Sequence, residues 1–174
     1  MNTFKAAILF SLIFLSTAFA RADVTSTKIE GDVAKPAAYT TAELLKGTIA
    51  PAQTIHYTSK DGPHALTCVS LLALIDASQP KFNSHIKNHQ LQFIIAVQGF
   101  DGYTVDFSYP ELEANFGNRA AWLALDIDGK PLTGEAGPMD LIVPDDVKAG
   151  RWVKGVAAII VIDTSTIPTP PTKP

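Results

Sequence analysis

Alternation of apolar and polar residues dominates this chain, and it predicts strands. Leu91, Phe93, Ile95 and Val97 recur at every second position. So do Tyr103, Val105, Phe107 and Tyr109, opposite Thr104, Asp106 and Ser108. Between the two runs, Gly99-Phe100-Asp101-Gly102 supplies residues that tolerate positive φ, so the pair reads as a β-hairpin. Gln53 to Ser59 also alternates, with Ile55 and Tyr57 on one face and Thr54, His56 and Thr58 on the other; Asp61-Gly62-Pro63 is its turn. Thr27 to Val33, Trp122 to Asp128 and Leu141 to Val143 predict further strands, with a turn at Asp128-Gly129-Lys130-Pro131. The longest expected strand is Trp152 to Asp163. Its centre, Val156 to Ile162, is apolar on both faces and belongs in the middle of a sheet or between two layers.

Helical spacing is confined to short stretches. Leu71, Leu72, Leu74 and Ile75 form an apolar stripe within Val69 to Ala77, and Pro80 ends it. Thr40-Thr41-Ala42-Glu43 is a capping-box pattern opening a helix that Gly47 and Pro51 keep short, and Ser108-Tyr109-Pro110-Glu111 is a second such box. Many strands, two or three short helices and tight turns predict an α+β, mainly-β architecture, not alternating βαβ units. The chain shows no internal repeat.

The N-terminus changes the picture of where the chain works. Lys5 precedes an apolar core from Ala6 to Leu15, and small residues then converge on Ala18-Phe19-Ala20 and Ala20-Arg21-Ala22. That order predicts a cleavable secretory signal over residues 1–22, too short in its apolar core to be a spanning helix. Of the 174 residues, 152 then remain, enough for one domain over residues 23–163 with a core that needs no disulfide. Thr164 to Pro174 holds four prolines and reads as a disordered tail. Removing Lys5 and Arg21 from the 14 basic residues leaves 12 against 17 acidic ones, a net charge of −5. Basic residues are not clustered, so nucleic acid is not an expected partner, and no membrane contact is expected after cleavage. The expected location is periplasmic or extracellular.

Candidate chemistry is sparse. Cys68, the single cysteine, stands at the start of the expected apolar helix. A helix N-terminus would favour its thiolate, whereas a buried site would make it an apolar filler. His85 and His89 have the spacing of two imidazoles on one helical face, or belong to a solvated turn. His56 and His64 read as surface or rim residues. Asp145-Asp146 could act as paired carboxylates or as caps for a turn, and Asp126 and Asp128 admit the same two readings. Arg151 and Lys154 place fixed positive charge at the mouth of the most apolar strand, which suits an anionic ligand such as a phosphate or an ion pair with Asp145 or Asp146.

The order of several segments is similar to the oxidoreductase molybdopterin-binding domain, the fold at the centre of sulfite-oxidase-like enzymes. These are Thr67-Cys68-Val69-Ser70-Leu71-Leu72-Ala73-Leu74-Ile75, Gly99-Phe100-Asp101-Gly102-Tyr103 and Asp128-Gly129-Lys130-Pro131-Leu132. Gly137-Pro138-Met139-Asp140-Leu141-Ile142-Val143-Pro144 and Gly150-Arg151-Trp152-Val153-Lys154 follow. The resemblance runs from about Ile29 to Asp163. It implies a sulfite-oxidase-like fold and puts Arg151 and Lys154 beside the pterin and its phosphate. The chain also departs from the family. The loop that carries the molybdenum thiolate is missing, Cys68 occupies the place of a turn glycine, and Ala136 stands where a histidine is frequent. Met1 to Lys5 has no arginine pair, which implies export of an unfolded chain without a preloaded pterin. The expectation is therefore a non-catalytic or ligand-binding relative with no resident cofactor, taking an anionic small molecule or an exported redox or sensory protein as partner. The alternative is a periplasmic molybdenum-pterin oxidoreductase with Cys68 as the metal ligand.

Overall fold

The computed structural model describes residues 26–132 and 137–166. The expected signal, Ala136 and the chain beyond residue 166 lie outside them. The chain begins with β1 (Ser26–Gly31), β2 (Ala37–Thr40), α1 (Thr41–Leu44), β3 (Gln53–Ser59), β4 (Gly62–Ser70) and α2 (Leu71–Ala77). It continues with β5 (Phe93–Gly99), β6 (Thr104–Ser108), α3 (Tyr109–Leu112) and β7 (Trp122–Ile127). The last strands are β8 (Lys130–Pro131), β9 (Asp140–Ile142) and β10 (Val156–Asp163). The architecture is α+β and mainly β.

One sheet has the order β2-β1-β10-β5-β6, in which β1 and β10 run parallel and the other pairs antiparallel. The second follows β3-β4-β7-β8, with β9 also paired to β7. Ile29, Ile159 and Val97 line up across three strands of the first sheet, and all three are buried. They share one core with Val69, Leu123, Leu125 and Leu141 of the second sheet. Each such side chain contributes about 1.5–3 kcal/mol through burial, so the two facing sheets carry most of the stability. A smaller cluster on the outer face of the second sheet contains Leu66, Cys68, Ala124 and Ile142 under the partly buried Tyr57, Trp122 and Trp152.

The expected hairpin forms β5 and β6, although Tyr103 lies before β6 and is exposed. The first capping box is complete: Glu43 N–H donates to Thr40 Oγ1 at 3.2 Å, and Thr40 N–H donates to Glu43 Oε2 at 2.8 Å. The second is half made. Glu111 N–H reaches Ser108 Oγ at 3.3 Å, but the Glu111 carboxylate turns to Arg151. The expected helix from Val69 starts only at Leu71, capped by Ser70, because residues 62–70 are a strand. The last strand likewise begins at Val156, not at Trp152. Thr164–Thr166 form a 3₁₀ turn, and Thr164 Oγ1 donates to Gln92 O at 2.6 Å, so the first residues of the expected tail are tied to the body.

Candidate functional site

Arg151 ends a 3₁₀ turn at Ala149–Arg151, just before the chain enters β10. Its Nε donates to Asp146 Oδ2 at 2.7 Å and its Nη2 to Asp146 Oδ1 at 2.6 Å, the two-pronged geometry in which guanidinium binds carboxylate most strongly. Nη1 donates to Glu111 Oε1 at 2.9 Å, and the guanidinium carbon lies 4.7 Å from the Phe107 ring centre. Hydrogen bonding to Arg151 holds the Asp146 carboxyl below its usual range. Arg119 is brought alongside because the loop after α3 folds back, with Gly117 N–H on Pro110 O and Arg119 N–H on Glu111 O. Its Nε is 3.8 Å from Glu111 and its Nη1 4.0 Å from Asp146. Two guanidinium groups and two carboxylates therefore form one network. The ion pair with Asp146, one of the partners expected for Arg151, is present.

Lys154 is exposed, and its charge reaches Asp140, whose carboxyl is pushed up by burial against the lowering effects of the Gly155 N–H and of Lys154. This corner is where the glycine-rich segments of the sequence meet. Phe100 N–H donates to Gly155 O, Gly155 N–H to Asp140 Oδ1, and Tyr103 Oη to Gly150 O at 2.5 Å. A Cβ at Gly137 would collide with the Phe100 ring, so that close approach requires glycine.

Cys68 does not stand at a helix N-terminus. It lies in β4, fully buried, with its partner positions Gln53 on β3 and Ala124 on β7. Burial, with a smaller effect from the Asp126 charge, pushes its thiol up to about 12. His85 and His89 also lose their expected relation. Asn88 takes a left-handed conformation between them, and His89 begins a single 3₁₀ turn. His89 is buried, its Nδ1 accepting from Asn83 N–H at 2.9 Å, whereas His85 is exposed.

His64 has partners that the sequence did not announce. It faces Tyr57 across the β3–β4 pair, and the two rings stack with centres 5.4 Å apart. His64 Nδ1 lies 2.8 Å from Asp128 Oδ2, and Nε2 lies 3.1 Å from Ser59 Oγ. Asp128 Oδ1 accepts from Ala65 N–H at 2.9 Å, and Ser59 Oγ accepts from Asp61 N–H at 3.0 Å. Asp128 enters the second tight turn with φ +52°, which brings that turn beside the β3–β4 turn. The signal available in sequence was the repeated Asp-Gly turn, but the register that aligns the two turns is a tertiary fact.

The architecture is similar to that of the sulfane dehydrogenase SoxCD from Paracoccus pantotrophus, with a TM-score of 0.53 and 19% sequence identity over 81% of this chain. The likeness is one of fold. The match covers 39% of that chain, so this protein spans well under half the length of its structural neighbour. No family model and no curated protein matches the sequence.

A molybdenum centre of the kind implied by the sequence resemblance requires a thiolate directed into an open cleft. Cys68 is sealed inside an apolar cluster and held as the neutral thiol, so it does not fit that role. Among the described residues, no three of His, Cys, Asp and Glu gather in a way that could hold a metal ion.

Proposed function

We propose that this protein is an exported, ligand-binding relative of the oxidoreductase molybdopterin-binding domain, one that has kept the fold and does not use molybdenum. The observation that carries this reading is the burial of Cys68 in β4, since it is the single sulfhydryl in the chain. The likeness of fold to SoxCD supports the family relation, and the segment 1–22 supports export to the periplasm or beyond the cell. Arg151 and Lys154 are the positions proposed to meet an anionic small molecule. Within the network, Glu111 makes one contact to Arg151 and has Arg119 within 3.8 Å. A phosphate-bearing ligand would take the place of Glu111 at Nη1 while Asp146 keeps its paired hold, and Glu111 would turn to Arg119.

Protein purified from its native compartment is expected to contain no stoichiometric molybdenum, and a Cys68→Ser variant is expected to remain folded by circular dichroism. Near-stoichiometric molybdenum with a pterin chromophore, lost in that variant, would overturn the reading. It would establish instead the alternative of a periplasmic oxidoreductase with Cys68 as ligand, which the fold shared with a dehydrogenase favours. For the ligand, titration of phosphate-bearing compounds should show weaker binding to Arg151→Ala than to the parent protein.

A further inference from the structure

We propose that Ser59, His64 and Asp128 form a nucleophile–base–acid triad that hydrolyses small aryl esters at the turn end of the second sheet. Ser59 and His64 stand on one hairpin and Asp128 comes from a distant turn, and the two side-chain contacts such chemistry needs are present. The Asp128 carboxylate can only accept, so the proton between it and His64 sits on Nδ1, and Nε2 is left as an acceptor aimed at Ser59 Oγ. Both separations lie within the range for a working nucleophile and base. Neighbouring groups fix each member: Ala65 N–H holds Asp128, the Tyr57 ring lies against His64, and Ser59 Oγ accepts from Asp61 N–H, with Gly62 O at 3.4 Å as a second and longer acceptor for its proton beside Nε2.

In the reaction, Ser59 Oγ bonds to the ester carbonyl carbon as its proton passes to His64 Nε2. The carbon–oxygen bond to the aryl alcohol then breaks, and the leaving oxygen takes that proton. Water, losing a proton to Nε2, attacks the acyl-serine, releases the carboxylic acid and restores the hydroxyl. No oxidant or reductant is needed. The substrate class follows from the surroundings. Tyr57 leads to Trp152, 5.5 Å away edge to face, so an apolar shelf runs from the triad along the outer face of the sheet and offers a surface for an aryl group. The His64 side chain is 24% and the Asp128 side chain 48% exposed. Solvent weakens the support a carboxylate gives an imidazolium, which limits the site to esters with good leaving groups rather than amides.

This inference goes beyond the reading given above and stands apart from it, because molybdenum content does not bear on Ser59. The test treats the full chain with a fluorophosphonate and maps the adduct by peptide mass spectrometry, alongside hydrolysis of p-nitrophenyl acetate. The expected result is one phosphonylated residue, Ser59, with labelling and hydrolysis both slowed about 100-fold or more in His64→Gln and Asp128→Asn. Circular dichroism checks the fold of each variant; should either variant unfold, the site of labelling in the parent protein decides by itself. Absence of an adduct, an adduct elsewhere, or parent-like labelling of a folded His64→Gln protein would overturn the proposal and leave the three residues as a pin between two turns.

Discussion

Treating the native protein with iodoacetamide at pH 8, and repeating the reaction in denaturant, measures how far β4 withdraws Cys68 from chemistry. The reactive species is the thiolate. An unperturbed thiol here ionises at 9.0 and the folded one at about 12, so the folded protein holds about 1000-fold less thiolate at any pH well below 9. Shielding by Leu66, Ala124 and Ile142 slows the reagent further. The native rate, followed by intact mass, should therefore lie at least about 1000-fold below the denatured rate. The same shift has a sign in stability. The unfolded thiol loses its proton near 9 and the folded one does not until about 12, so stability is unaffected below pH 9 and falls as pH rises from there towards 12. A native alkylation rate within ten-fold of the denatured one would refute the reasoning and with it the objection to Cys68 as a metal ligand.

Other perturbations test the frame around the site. Arg151→Ala removes both prongs to Asp146, the bond to Glu111 and the contact with Phe107, and should cost about 1–2 kcal/mol in urea unfolding at neutral pH. Because Arg151 holds the Asp146 carboxyl below its ordinary value of 3.8, the part of that difference due to Asp146 should be present above about pH 4 and shrink as pH falls further. Gly31→Ala should be severely destabilising, by about 3 kcal/mol or more, since φ is +95° and the new Cβ would fall on Val161 O in the β1–β10 pair. A melting temperature for Gly31→Ala within a few degrees of the parent would show that this pair yields more easily than its register implies.

The hairpin was legible mainly from β6, where buried Val105 and Phe107 alternate with exposed Thr104, Asp106 and Ser108; on β5 the apolar Ile94 and the buried Ala96 blur the same alternation. The end of β4 was not. Cys68 faces the outer cluster and Val69 the main core, both fully buried, and only Ser70 separates them from the apolar start of α2. Ser70, which caps α2, is the one polar residue that marks where the strand stops and the helix begins. Arg151 was legible as a charge beside an apolar strand, and Asp146 as one of two acids near it. Glu111 and Arg119 were not, because a doubled-back loop brings them in from 40 and 32 positions away. Asp128 was hidden from Ser59 and His64 for a different reason: it stands in the turn after β7, and the pairing of β4 with β7 brings that turn to His64.

The parallel pairing of β1 with β10 also dictates an order of assembly. The strand a ribosome delivers last among those described is the one that sits in the middle of its sheet, flanked by β1 and β5. Until it emerges, the β1–β2 and β5–β6 halves of that sheet have no strand between them. The first sheet can therefore be completed only once nearly all of the described chain has been made.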